Sequence, residues 1–325
     1  MPRVLLLHTG GTLGMRGTPL APDQFAADLT SDVPELLQIA DIETRIVCNL
    51  DSSDIGPPVW AQLVDIIAAE RDRCDGFVIV HGTDTMAYTA SALSFALEGL
   101  DRPVILTGAQ RPLRELRTDA RRNLADAVDL ASRPIPEVGI CFDGLLLRGC
   151  RAKKTHMHDY RAFDSPGCEP LARLGIDVLV APHVREPLGP FRPCPAFDPH
   201  VLVVHVTPGM PTSALHPLVP PASLRGVVLV TFGVGTAPTA RDPVAPLVRD
   251  WVEHGIEVLV ITQSAGWVDL SLYENSRALA DAGAIAGGRM TIEAGVTKMM
   301  HALARSDDPQ DRRTWLERNV AGELG

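Results

Sequence analysis

The chain has 325 residues, of which 46% are hydrophobic and 22% charged, and its formal net charge is −10. That acidic balance argues against nucleic acid and anionic membrane as partners, because both call for a basic face, and it favours a small-molecule partner. The length allows a sizeable core and suggests about two domains.

The N-terminus, MPRVLLLHTGG, offers only four consecutive apolar residues before a histidine. That is too few for a signal-peptide core or a membrane span, so a cytoplasmic location is expected. Cys48, Cys74, Cys141, Cys150, Cys168 and Cys194 form no C-x-x-C pair, and free thiols are expected.

In chain order, the first predicted strand, RVLLLH, breaks into a turn containing Gly10, Gly11 and Gly14, flanked by Thr9 and Thr12. The spacing fits neither a P-loop, which needs Gly-Lys-Ser/Thr, nor a dinucleotide fingerprint. What remains is a hydroxyl presented just past a strand end, where α/β folds place their ligands. Then come DSSD at 51–54, a helical period in VWAQLVDIIAAERDR, the strand GFVIVHG with HGTDT at its end, and the helical period TMAYTASALSFALEGL. Met86, Leu93 and Leu97 lie at helical spacing and read as core, and Thr83 and Asp84 are available as caps for that helix. The strand RPVILTG, the helical stretch RTDARRNLADAVDLASR and the strand VGICFDG follow, and RAKKTH occupies 151–156. Continuous β-branched and leucine runs of this kind are the habit of strands buried on both faces, and their alternation with helices predicts α/β layers.

Closely spaced prolines in EPLGPFRPCPAFDP preclude regular structure and mark a linker at 186–200, between a domain at 1–185 and a second at 201–325. The second half repeats the alternation through VLVVHVTPG, GVVLVTFG and EVLVITQ, with helices in RDPVAPLVRDWVEHG and MTIEAGVTKMMHALARS. The tail reads as a short helix and a frayed end.

Four polar clusters therefore fall after predicted strands of the first domain: HTGGT, DSSD, HGTDT and RAKKTH. Strand ends of a parallel sheet share one edge, so these clusters can meet. Together they supply two glycine-presented threonines, Thr12 and Thr83, with Asp84 beside the second and Lys154 as a base. Backbone amides of a glycine turn can hold an oxyanion. Asp51, Ser52 and Ser53 offer a carboxylate and two hydroxyls to the amino and carboxylate groups of an amino-acid amide. The plainer readings are an Asp84 that only caps a helix and a Lys154 that is only solvated. His156 and His158 form an H-x-H pair without a second histidine cluster, so no metal is assigned.

At these residues the chain resembles the bacterial-type L-asparaginases, and more closely their cytosolic branch. TGGTLGM, DSSD, VIVHGTDTMAYTASALSFALEGLDRPVILTGAQRPL, RGCRAKKTH, FGVGTAP and AGAIAGGRMTIEAGVTK fall in the family's order and span most of the chain. The resemblance implies an α/β fold with a larger N-terminal domain on a mainly parallel, flavodoxin-like sheet and a smaller C-terminal α/β domain. It implies hydrolysis of L-asparagine, with L-glutamine as a lesser substrate, no cofactor, and assembly as a homodimer or homotetramer. By residue, it makes Thr12 the nucleophile and Thr83, Asp84 and Lys154 a second triad. Asp51, Ser52 and Ser53, with Thr83 and Asp84, become the substrate cradle.

The family's tyrosine on the loop after TGGT is missing from RGTPLAPDQF, where Leu20 takes its place. Two alternatives accompany the main reading. One is an asparagine-binding module with lost or weakened turnover. The other is an amidotransferase-type subunit that releases ammonia to a partner.

Overall fold

The computed structural model describes residues 1–16, 21–22, 29–215 and 224–325. The chain divides into two compact units, Met1–Pro195 and Ala196–Gly325.

The first unit is built on β1 (Arg3–Gly10), β2 (Asp41–Leu50), α1 (Pro57–Glu70), β3 (Gly76–Val80), α2 (Met86–Ala96), β4 (Val104–Thr107), α3 (Ala120–Ala131) and β5 (Val138–Phe142). β6 (Leu145–Arg148), β7 (Ala172–Leu174) and β8 (Val178–Val180) complete its sheet, in the order β8-β7-β6-β5-β4-β3-β1-β2. Strands β2, β1, β3, β4 and β5 are all parallel. This 2-1-3-4-5 order is the flavodoxin-like one, and its switch point lies between β1 and β3. Alternation divides the strands' side chains between two faces. Val4, Leu6, Val78, Val80 and Ile105 cluster with Leu124, Ala127, Val128 and Ala131 of α3. Leu5, Leu7, Phe77 and Ile79, also fully buried, point to the other face.

Three features depart from the sequence reading. β6, β7 and β8 extend the sheet antiparallel to their neighbours. Within the proline-rich stretch, Arg192–Pro193 forms a short strand against Leu97–Glu98. A two-stranded ribbon accepts Pro193 because no third strand needs its missing N–H. The C-terminus is not frayed: Glu323 is fully buried.

In the second unit β9 (Val201–His205), β10 (Gly226–Thr231), β11 (Glu257–Thr262) and β12 (Ile285–Ala286) form a four-stranded parallel sheet in that order. Its helices are α4 (Val244–Glu253), α5 (Glu274–Asp281), α6 (Ile292–Arg305) and α7 (Pro309–Glu317). Val227, Leu229, Val258 and Val260 pack with Leu247, Val248 and Trp251 of α4. No helix among the described residues is long and apolar enough to cross a membrane.

Candidate active site

Three turns meet past the carboxyl ends of β1, β2 and β3, at the switch point. Gly10 and Gly11 have φ of 115° and 95°, values that glycine adopts without a steric penalty. Space demands glycine as well. A Cβ on Gly10 would lie 2.1 Å from the Leu50 carbonyl oxygen, and one on Gly11 2.5 Å from the Gly82 nitrogen. A Cβ on Gly82 would lie 2.6 Å from Cβ of Ser52. The missing side chains thus make room for neighbouring backbone and for Ser52. Thr12, half-buried, begins a 3₁₀ turn (Thr12–Gly14) directly after Gly11, and Thr83 directly follows Gly82. Thr9 is structural: fully buried, it donates from Oγ1 to the Val80 carbonyl at 3.0 Å.

The β2 turn carries Asp51, Ser52 and Ser53. Ser53 donates to Asp51 Oδ1 through its amide at 2.9 Å and its hydroxyl at 2.7 Å, and these two bonds hold the exposed Asp51 carboxyl below its ordinary pKa. Ser52 is buried, and its carbonyl accepts a hydrogen bond from Thr85 Oγ1. The turn is thereby tied to the start of α2.

Neither Thr83 nor Asp84 caps α2, whose N-cap is Thr85. Both instead meet Lys154: Nζ donates to Thr83 Oγ1 at 2.8 Å and to Asp84 Oδ1 at 2.6 Å. The Lys154 side chain is 16% exposed, which overturns the reading of a solvated surface lysine. Its route to the site differs from the one expected. β6 runs antiparallel to β5, pairing Leu145 with Phe142 and Arg148 with Gly139, so it leaves the edge where β5 ends. The chain then passes along α2, with Ser91 Oγ donating to the Gly149 carbonyl at 3.3 Å. It regains the site in a two-residue strand, Lys153–Lys154, paired with Phe163–Asp164.

His81 escapes the sequence reading as a site feature, although it adjoins the GTD triplet. It is 1% exposed. Its Nδ1 bonds the Gly82 carbonyl at 2.7 Å and its Nε2 meets Thr89 Oγ1 at 2.8 Å, while Trp60 Nε1 donates to the same hydroxyl at 2.9 Å. With Nδ1 donating, Nε2 is the acceptor, and the ring is neutral. Burial lowers its pKa to about 4 against the opposing bond to Gly82. His156 and His158 are exposed. Leu20 lies outside the described residues.

Similarity to known proteins extends along nearly the whole chain. Residues 3–185 match the family model for the asparaginase N-terminal domain, and residues 200–316 match that for the glutaminase/asparaginase C-terminal domain. L-asparaginase 1 of Escherichia coli is 36% identical over 333 residues, covering 99% of this chain and 97% of that protein. The crystal structure of L-asparaginase I from Vibrio cholerae superimposes with a TM-score of 0.92 at 36% identity, covering 100% of this chain and 99% of that one. A glutamyl-tRNA(Gln) amidotransferase component of Aeropyrum pernix is 34% identical, covering 99% of this chain and 79% of that protein.

Proposed function

The chain belongs to the asparaginase family, and on that footing we infer that it hydrolyses the side-chain amide of L-asparagine to aspartate and ammonia. The observation that carries the reading is the ammonium of Lys154, shared between Thr83 Oγ1 and Asp84 Oδ1.

Thr12 is the proposed nucleophile. Its Oγ attacks the amide carbon, the hydroxyl proton passes to the leaving nitrogen, and ammonia departs from a β-aspartyl ester. Water then adds to the ester carbonyl, giving aspartate and restoring the Thr12 hydroxyl. The oxyanion formed in each half needs donors already in place.

Lys154 occupies a lone pair of Thr83 Oγ1, which leaves the Thr83 hydroxyl hydrogen free to point away from the lysine. Thr83 can therefore pass that proton to the leaving nitrogen and be resupplied from Lys154, which in turn recovers the proton that Thr12 loses. The net transfer is from Thr12 to ammonia, with Asp84 balancing the ammonium charge of Lys154. In the β2 turn, Ser53 takes up Asp51 Oδ1, so Oδ2 is the oxygen offered to the α-ammonium. The hydroxyls of Ser52 and Ser53, with Thr83 and Asp84, complete the cradle for the amino-acid end. A lesser activity on L-glutamine, a cytoplasmic location and a homodimeric or homotetrameric assembly belong to the same reading and rest on the family resemblance.

The test is ammonia release by the purified chain alone. Equimolar ammonia and aspartate from L-asparagine, with slower release from L-glutamine, is the expected result. Binding of asparagine without release would instead support the binding module. Release that requires an added partner would support the amidotransferase-type subunit. Light scattering on the eluting protein decides the assembly.

A further inference from the structure

We propose that Gln110 is a positioning residue for this reaction: its side-chain amide holds the turn that follows Lys154, and so keeps the ammonium in register with Thr83. The inference rests on the amidohydrolase reading and adds to it a residue outside the proposed catalytic set.

Residues 108–111 follow β4. The Gln110 amide nitrogen Nε2 lies 2.9 Å from the Asp159 carbonyl oxygen, 3.2 Å from that of Met157 and 3.4 Å from that of His156. These carbonyls belong to the loop that leaves Lys154 and returns to Phe163, closed at its base by Thr155 and His156 donating to the Ala162 carbonyl. His156, Met157 and His158 are exposed, so this part of the loop has little packing of its own to fix it. Its far side is held by Tyr160, whose hydroxyl donates to the Arg117 carbonyl. The side nearer Lys154 is held by Gln110.

A clasp positions only if it is itself fixed. Asp119, which precedes α3, accepts from the backbone of Gln110 at 3.0 and 3.1 Å and from that of Arg111 at 3.1 Å. Asn123, one helical turn later and 1% exposed, donates to Asp119 Oδ2 at 3.1 Å and to the Gly108 carbonyl at 3.0 Å. Its own Oδ1 accepts from the Asp143 amide at 3.1 Å. The anchored loop also abuts the Thr83 turn, since a Cβ on Gly108 would lie 2.3 Å from the His81 carbonyl oxygen. One loop thus touches the segments on either side of the Lys154–Thr83 bond, by backbone at His81, two residues before Thr83, and by the Gln110 amide at the turn that follows Lys154.

The chemistry calls for an amide. Its NH₂ group supplies two donors to a cluster of carbonyls, whereas an ionised carboxylate of the same shape supplies none. Gln110→Glu and Gln110→Ala are therefore the variants to make, with Lys154→Met alongside. Both Gln110 variants should lose about ten- to a hundredfold in kcat, as misplacement by about an ångström does, with Glu worse than Ala. KM for L-asparagine should stay within about threefold, and the thermal midpoint should not change. Amide hydrogen exchange at residues 155–160 should quicken in both. Unchanged exchange there, kcat within about twofold of wild type, or loss of activity in step with loss of thermal stability would each overturn the inference. An inactive Lys154→Met beside active Gln110 variants would remove this inference alone. A fully active Lys154→Met would remove the relay, and the role of Gln110 with it.

Discussion

Gly11 and Gly82 touch backbone to backbone: a Cβ on Gly11 would fall 2.5 Å from the Gly82 nitrogen and 2.6 Å from its Cα. The turns that carry Thr12 and Thr83 are thereby held against each other through the backbone of the preceding glycines. Gly11→Ala must move one turn off the other and also strain a residue at φ 95°, which costs about 1–3 kcal/mol before any repacking. The expected result is a lower thermal midpoint and a fall in kcat/KM of about a hundredfold. Wild-type steady-state kinetics in this variant would show that the contact does not set the geometry.

His8 and His81 flank that contact, at 1% exposure each, and burial lowers the pKa of both from 6.5 to about 4. The unfolded chain binds a proton at each near pH 6.5, and the folded chain refuses it until about pH 4. Their stabilisation is therefore complete above pH 6.5 and is lost as pH falls toward 4, by roughly 3 kcal/mol for each histidine at most. Urea unfolding measured from about pH 7 to about pH 5 should show stability falling with a slope approaching two protons. A flat profile over that range would contradict the assignment.

What is legible in the sequence follows from burial. The strands of the parallel core are continuous apolar runs because both faces are covered, and they can be read directly. β2, DIETRIVCNL, lies at the sheet edge with only partial burial along most of its length, so polar residues interrupt its pattern and deny it a continuous apolar run, and the DSSD turn at its end is what marks the strand. The glycine turns are recognisable, but their reason is not. The space they leave is filled by neighbouring turns, a fact of tertiary contact that no local pattern records. Lys154 is marked by its motif, while the path expected for it fails because β6 reverses direction. Gln110 and Asp119 sit in polar loops where nothing in the sequence distinguishes a clasp from a solvated side chain.

Lys298 and Glu323 form an ion pair at 2.6 Å with both side chains at 0% exposure. Nζ also donates to the carbonyls of Leu316 and Arg318, and the carboxylate accepts from the amides of Val320 and Ala321. Burial alone would raise the Glu323 pKa, but the Lys298 charge and these bonds bring it below the ordinary value. The pair's stabilisation is thus present above the ordinary carboxylate range and lost as pH falls through the lowered pKa. Lys298→Met should cost about 3–5 kcal/mol, because it leaves a buried carboxylate without its cation. That orphaned carboxylate gains by taking up a proton, so the deficit measured by urea unfolding should shrink as pH falls toward about 5.

Thr12→Ala should abolish hydrolysis and leave the fold intact, since it removes only the hydroxyl and methyl of one half-buried side chain outside the core. Ammonia release and a thermal melt on the same sample check both halves. Retention of more than about a tenth of wild-type kcat, a loss under ~1.4 kcal/mol in the barrier, would exclude Thr12 as the nucleophile.

Thr83 and Lys154 are bonded at 2.8 Å, and the proposed relay makes them one device rather than two. Without the ammonium, the Thr83 hydroxyl keeps its proton but loses the group that orients and resupplies it. Without the hydroxyl, the lysine has no path to the reacting atoms. Thr83→Ala and Lys154→Met should therefore reduce kcat by similar factors, and the double variant should be scarcely worse than either single one. A solvated lysine that merely balances charge would give a different result, with a small Lys154→Met effect adding to that of Thr83→Ala. Asp84 separates these cases further. At 68% side-chain exposure it can be lost with little effect on folding, so Asp84→Asn should leave the thermal midpoint unchanged. It should nevertheless lower kcat, because it removes the charge that keeps Nζ between Asp84 and Thr83. If Asp84→Asn turns over asparagine at the wild-type rate while Lys154→Met does not, the lysine acts without its carboxylate and the triad reduces to a pair.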